Sequence, residues 1–330
     1  MDFDGDGRTD IISGSYMPGD LFVFKRLSDG AFAEGEEIRD VDGDPVNVGD
    51  ASAVFAVDWD QDGDLDLVVG NIEGGVWYVP NLGTRTEAKF DRPYPVTAAG
   101  KELHVAHGDA GPAVADWDGD GLLDLLVGAG DGSVQWCRNT GTKQQFVLAE
   151  PRTLVPPNQR IWDSAADRCG TRTKVCVTDW NGDGLADLLV GDFVSGGYSA
   201  DEAAEQTEEE TAAAKKLNEE YQAALQRYRE ASTRTEVAEK QKQVIKLYQE
   251  REELKRFAKH ETREAYRERK QKLAEVNEQL SAIQQAMQRE LEPIMKELRE
   301  ISSRRRGPSR REMHGWVWLF ERKLPKLASQ

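Results

Sequence analysis

One acidic loop recurs four times at intervals of about 60 residues, and it constrains this chain more than any other feature. It reads DFDGDGRTD from Asp2, DWDQDGDLD from Asp58, DWDGDGLLD from Asp116 and DWNGDGLAD from Asp179. Each copy sets oxygen-bearing side chains at loop positions 1, 3, 5 and 9, with Gly at position 6. A hard divalent cation collects roughly six to eight oxygens in one small space, and an alternating D-x-D-x-D-G turn supplies them locally. The reading is up to four Ca²⁺ ions held in repeated structural units.

The look-alike is the EF-hand, which needs a bidentate Glu at position 12 and a helix on either side. Position 12 here is Ser13, Val69, Val127 and Val190. Short apolar runs ending at Gly follow the loops: DIISGS, DLVVGN, DLLVGA and DLLVGD. Those runs and the preceding SAVFAVDW, GPAVADW and TKVCVTDW read as strands, so each loop joins a β-hairpin. After each hairpin come a Gly turn and an aromatic or β-branched strand (LFVFK, VWYVP, VQWCR). A fourth strand is expected in KFDRPYPVT and QFVLAEPRTLV. Four antiparallel strands per period, repeated, predict a β-propeller of about four visible blades, incomplete at its N-terminus.

The loops and the trailing LLVG-x-x-x-G-x-V-x-x-x-x-N-x-G pattern resemble the FG-GAP/VCBS repeats of calcium-binding propellers. Such repeats build integrin α-subunit heads and many bacterial secreted or surface proteins. The resemblance covers roughly residues 1–199 and 313–323. It implies metal ligands at Asp2, Asp4, Asp6 and Asp10; at Asp58, Asp60, Asp62 and Asp66; at Asp116, Asp118, Asp120 and Asp124; and at Asp179, Asn181, Asp183 and Asp187. Position 7 (Arg8, Asp64, Leu122, Leu185) would give only its backbone carbonyl, which suits its varied side chain. Asn181 offers a neutral oxygen, so the fourth site is expected to be the weaker one.

Charge agrees with this reading. The net charge of −17 arises wholly in the first 200 residues, and the remainder carries a small positive balance. Fifteen of the expected ligands are carboxylates crowded into single turns, where uncompensated charges repel at short range. Cation binding and folding are therefore expected to be coupled. The acidic surface argues against nucleic acid as a partner.

The repeat breaks after DWNGDGLADLLVGDF. From about 201 to 303 the chain becomes rich in Glu, Lys, Arg, Gln and Ala, with no Gly or Pro between Gly197 and Pro293. It then returns to WVWLFERK, which matches VWYVPN and VQWCRN. About 110 residues are thus inserted in one hairpin of the last blade. The expected division is blades over 1–199, a helical hairpin over 200–312 and a return strand over 313–330. The ends of a hairpin lie close together, so the insert must leave and return at one place; an antiparallel helical hairpin does so. Leu273, Val276, Leu280, Ile283, Met287, Leu291, Ile294, Leu298 and Ile301 alternate three and four apart, a coiled-coil stripe. The outgoing stripe (Leu217, Tyr221, Ala224, Tyr228, then Val237, Val244, Leu247, Leu254) slips phase near Ser232–Thr235. The tip is expected near Ala258–Thr262, and Pro293 is expected to kink the return helix. A basic cluster, Arg304–Arg306 with Arg310 and Arg311, lies at its base.

Met1 abuts the first ligand, so further blades and an export signal are expected upstream; the alternative is a four-bladed ring closed by the tail LPKLASQ. The sequence contains no signal peptide and no transmembrane run. Three cysteines leave either a Cys169–Cys176 disulfide or free buried thiols. GxSxG, P-loop and HExxH motifs are absent, and His104 and His107 read as the end of a strand. Trp59, Trp117 and Trp180 follow the first ligand of their loops and are expected to pack between blades. The expectation is a non-enzymatic, calcium-stabilised propeller outside the cytoplasm (periplasmic, cell-surface or secreted). Its helical arm would make protein contacts, and its oligomeric state is left open. A calcium-dependent carbohydrate-binding propeller and a propeller-type polysaccharide lyase or hydrolase stand as alternatives.

Overall fold

A computed structural model describes residues 1–158, 169–195, 208–255, 262–306 and 313–322. The chain divides into two compact units: residues Met1–Gly197 with Arg311–Gln330, and residues Tyr198–Arg310.

The first unit is built from antiparallel sheets. Strands β1 (Ile11–Gly14), β2 (Leu21–Phe24) and β3 (Glu36–Glu37) form the first sheet. The second holds β4 (Ala53–Val57), β5 (Asp66–Gly70), β6 (Val76–Val79) and β7 (Tyr94–Pro95). A two-stranded ribbon of β8 (Thr97–Ala98) and β9 (Lys101–Glu102) follows. The third sheet holds β10 (Gly111–Ala115), β11 (Asp124–Gly128), β12 (Val134–Cys137) and β13 (Arg152–Val155). In the fourth, β14 (Thr171–Thr178) pairs with β15 (Asp187–Ser195), which also pairs with β16 (Met313–His314) and β17 (Val317–Phe320).

Each acidic loop closes a hairpin at one register. Position 9 faces the residue before position 1, as in Val57 opposite Asp66, Ala115 opposite Asp124 and Thr178 opposite Asp187. Met1 and Asp10 make the same closure, the Asp10 N–H donating to the Met1 carbonyl at 2.5 Å. The flanking elements are strands, so the EF-hand alternative is excluded.

Successive sheets pack in line, β1 against β4, β4 against β10, and β10 against β14. Three apolar clusters fill the junctions, and each uses the same two cross-strand pairs. One sheet supplies the residue two places after its ninth-position Asp together with its partner; the next supplies the residue one place after that Asp together with its own. Val23 of the Ile12–Val23 pair thus meets Leu67 and Val79; Val68 and Tyr78 meet Leu125 and Cys137; Leu126 and Trp136 meet Leu188. The glycine ending the strand after each of the first three loops is required by close approach. A Cβ on Gly14, Gly70 or Gly128 would stand 2.1–2.2 Å from the carbonyl oxygen of Ser52, Ala110 or Thr173 in the following segment.

The second unit contains α1 (Glu208–Ser232), α2 (Thr235–Lys255) and α3 (Arg263–Arg306). The phase slip read near Ser232–Thr235 is the break between α1 and α2. There Thr233 folds its hydroxyl back onto the carbonyls of Arg229 and Glu230, and such a bond competes with helix continuation. Helix α3 packs along both shorter helices. Ala231 and Val237 meet Leu291 at one level, and Leu247 meets Val276 and Leu280 at another. Pro293 lies inside α3, and Arg304 pairs with Glu220 of α1 at 3.4 Å. Residues 258–261 of the expected tip, His260 among them, lie outside the described residues, as do Arg310 and Arg311.

Cys137, Cys169 and Cys176 are all free thiols; Cys137 and Cys169 are buried as expected, whereas Cys176 is exposed, on the outward side of β14. His104 lies in an isolated bridge to Gly75. His107 sits in a turn at φ 59°, which agrees with a strand ending at a turn.

Candidate metal loops

The loop is shaped by its own backbone N–H groups. The first-position carboxylate accepts them across the turn: Asp116 accepts from Gly119, Asp120 and Gly121 at 2.8–3.0 Å, and Asp179 from Gly182, Asp183 and Gly184 at 2.8–3.0 Å. Asp58 accepts from Asp62 and Gly63, and Asp2 from Gly7. The fifth position accepts from the seventh in every copy: Arg8 donates to Asp6, Asp64 to Asp62, Leu122 to Asp120 and Leu185 to Asp183, at 2.8–3.1 Å. Glycine at position 6 is required by conformation, since Gly7, Gly63, Gly121 and Gly184 lie at φ 84–105° with open space where a Cβ would stand.

These turns gather carboxylates. Oxygens of Asp2, Asp4 and Asp10 lie within 4.8 Å of one another, as do those of Asp58, Asp60 and Asp62, and those of Asp116, Asp118 and Asp120. In the fourth loop Asn181 takes one carboxylate place and donates its amide to Asp183 at 3.1 Å.

Position 9 is built differently from the other three. Asp10, Asp66, Asp124 and Asp187 are buried, and both oxygens of each accept hydrogen bonds. One oxygen takes the N–H of the second loop residue (Phe3, Trp59, Trp180), or the Trp136 indole in the third sheet. The other takes the backbone N–H two residues beyond the strand paired to the one after the loop (β2, β6, β12 and β17): Arg26, Asn81, Asn139 and Arg322, at 2.6–2.9 Å. The separation is 16, 15 and 15 residues in the first three sheets and 135 in the fourth. Arg322 thus takes the place that Asn81 and Asn139 occupy, across the whole helical segment. Asn81 and Asn139 are themselves buried, and their side-chain oxygens pin the next turn through Gly83 and Lys89, and through Gly141 and Val147. Sequence reading did not single out these asparagines, although the N-x-G of the repeat was the available signal.

Whether the loops suit a cation can be tested on their spare oxygens. Oδ1 of Asp2, Asp4, Asp60, Asp64 and Asp118 is buried and accepts no hydrogen bond. Anionic oxygens buried beside other anions are costly unless a cation meets them, so this donor set fits a hard divalent ion. The Asp64 side chain, expected to be incidental, is one of these groups.

Electrostatics set the loops apart. In the second loop, burial followed by the charges of Asp62, Asp60 and Asp58 pushes the Asp64 carboxyl up to about 6. Burial also pushes Asp66 up to about 6 against the backbone hydrogen bond from Asn81, and raises Asp60. Asp124 is raised, again chiefly by burial. The first residue beyond β2, β6 or β12 decides what else faces the loop. In the third sheet it is Arg138, which bridges Asp118 at 2.5 Å and Asp120 at 2.7 Å. In the first it is Lys25, 3.8 Å from Asp4, with Arg8 paired to Asp6. In the second it is Pro80, which brings no charge.

The aromatic residue after the first ligand is covered by the following sheet. Phe3 stacks on Phe90, centroids 6.1 Å apart. Trp59 is 1% exposed, stacks on Phe146 at 3.9 Å and donates its indole to the Leu123 carbonyl. Trp117 lies under the Arg322 guanidinium at 5.6 Å. Trp180 breaks the series, being 62% exposed.

The FG-GAP-like repeat family matches residues 2–69, 58–127 and 116–190, each match running from one loop into the strand after the next. The chain belongs to the FG-GAP-like repeat family. The matches together span more than half of it. A search of curated proteins finds no match. Among solved structures, the chain is similar to one described as an Agrocybe aegerita lectin in specific recognition of non-reducing terminal N-acetylglucosamine. The identity is 21% and the TM-score 0.35, over 59% of this chain and 47% of that one. This FG-GAP-like chain therefore spans less than half the length of that relative.

Proposed function

We propose that this FG-GAP-like protein is a calcium-stabilised, propeller-type binding module without catalytic activity, working outside the cytoplasm, where ambient calcium is high. The observation that carries the reading is the set of buried carboxylate oxygens without hydrogen-bond partners inside the first three loops. Bound Ca²⁺ would supply positive charge and rigid hairpin loops. Asp2, Asp4 and Asp6, Asp58, Asp60, Asp62 and Asp64, Asp116, Asp118 and Asp120, and Asp179, Asn181 and Asp183 would hold the ions. Asp10, Asp66, Asp124 and Asp187 would complete the ligand sets, Asp10 lying with Asp2 and Asp4, while they brace each loop against its sheet. The sheets serve as propeller blades, and α1–α3 as a coiled-coil arm for protein contacts. No helix among the described residues is long and apolar enough to cross a membrane.

The loops should differ in strength. The second has two spare carboxylate oxygens, as the first does, but no ion-paired basic residue among the described ones, and fills first; in the third, calcium must displace Arg138. Isothermal titration of chelator-stripped protein tests this, with thermal melts alongside. Calcium should raise the melting temperature by about 5–10 degrees for each filled site, as about 3 kcal/mol of linked binding does at roughly 100 times Kd. Arg138→Ala should tighten one class of sites. No binding heat and an unchanged melt would remove the metal reading.

A further inference from the structure

The two sides of the helical unit are interrupted at one level. On one side α1 ends at Ser232 and α2 begins at Thr235, so Thr233 and Arg234 break the helix. The Ser232 hydroxyl donates to the Arg229 carbonyl at 2.9 Å, and the Thr233 hydroxyl is shared between the carbonyls of Arg229 and Glu230 at 3.0 Å. On the other side α3 runs through Pro293. Proline brings no N–H, so the Arg289 carbonyl loses its helical donor, and the ring crowds that carbonyl. Two ion pairs fix the register between the sides, Arg227 with Glu297 at 2.6 Å and Lys240 with Glu290. Residues 233–234 fall midway between Arg227 and Lys240, and residues 293–294 midway between Glu290 and Glu297, so the break faces the proline. The apolar cluster at this level sets Ala231 and Val237 against Leu291 and Ile294, with Met287 and Met295 beside them. Methionine is unbranched and adapts to a changed gap at little cost.

We infer that this level is a hinge, at which α2 with residues 263–292 of α3 moves as one body against α1 with residues 294–306. A break in one helix of a packed pair is splinted by the unbroken hydrogen-bond ladder of the other. Here neither ladder is continuous, so neither helix splints its partner. Each body keeps contacts of its own on its side of the hinge. The α2 body holds Leu247 against Val276 and Leu280, and Lys240 against Glu290. The α1 body holds Arg227 against Glu297, and Arg304 against Glu220. Arg299 reaches back across Pro293 to Glu292, but both side chains are exposed, and such a pair contributes little. Hinge motion of this kind runs on the microsecond-to-millisecond scale. It does not depend on what the acidic loops bind.

Pulsed dipolar electron paramagnetic resonance on the full chain tests this, in a Cys176→Ser background whose remaining thiols, Cys137 and Cys169, are buried. Spin labels replace exposed side chains in two pairs. Gln222→Cys with Gln249→Cys straddles the hinge, the two lying about 40 Å apart along the helices. Ala274→Cys with Gln288→Cys lies within the α2 body and serves as the reference. The straddling pair should give a distance distribution at least about twice as broad as the reference. Pro293→Ala restores the donor to the Arg289 carbonyl and should narrow that distribution toward the reference. Thr233→Ala, which frees the Arg229 and Glu230 carbonyls for the helix, should narrow it too. A straddling pair as narrow as the reference means a fixed bend and overturns the hinge. So does a breadth that both substitutions leave unchanged, since the mobility would then arise elsewhere in the helices.

Discussion

Asp64 and Asp66 are two residues apart and play opposite parts in one loop. Asp66 places both oxygens on backbone N–H groups and fastens the loop to the far end of its sheet. Asp64 keeps a buried oxygen without a hydrogen-bond partner beside three other carboxylates. Both carboxyls are pushed from 3.8 up to about 6. A group with a raised folded-state pKa holds more protons when folded than when unfolded between those two values. Stability of the metal-free chain therefore falls as pH rises through that window and levels off above it. In chelator, the melting temperature should drop between pH 5 and pH 7, and Asp64→Asn should shrink that drop. With calcium present the trend should weaken or reverse, because the ion competes with protons for the same oxygens. A larger drop for Asp64→Asn than for wild type would show that Asp64 is not the group responsible.

Between elements, one interface is used three times, and its parts were unequally legible in the sequence. The strands beside the loops could be read because period-2 patterning and terminal Gly are local signals. The packing duty of Trp59 and Trp117 could be read because an aromatic repeated at one loop position needs a common cover. Trp180 carries the same signal without the cover, since a repeat motif records the residue and not what lies beyond it. The bracing by Asp10, Asp66, Asp124 and Asp187 was read as metal ligation alone. Their far hydrogen-bond partners lie 15 or 16 residues away in the first three sheets and 135 away for Asp187, distances no loop pattern encodes. Arg138 was passed over for a similar reason, as only strand pairing brings it over the third loop. The Trp59 and Trp180 pair turns this difference into a measurement. Trp59→Ala should cost about 3–5 kcal/mol in denaturant unfolding, the range for truncating a buried aromatic. Trp180→Ala in dilute monomer should cost well under half as much. Equal costs would mean that the fourth sheet's outer face is covered in solution.

At the scale of the whole molecule, one sheet is completed from two distant stretches of sequence. β17 returns to β15 with Leu188 opposite Phe320 and Gly191 opposite Val317, and Arg322 closes onto Asp187 as Asn81 closes onto Asp66. Every ladder of the fourth sheet thus pairs residues at or before Ser195 with one another or with residues at or after Met313. The helices bury their own apolar stripe, Leu291 against Val237 and Leu280 against Leu247, so neither unit needs the other to cover its core. Loop-closure entropy grows only slowly with length. Replacing residues 196–312 with a short Asn-Gly turn should therefore leave the sheets folded, with an unfolding midpoint equal to or above that of the full chain. The excised segment should retain helical circular dichroism of its own. Loss of the cooperative sheet transition in the shortened chain, with the helical segment still helical, would mean that residues 196–312 hold the fourth sheet together, contrary to the register that joins β15 to β17.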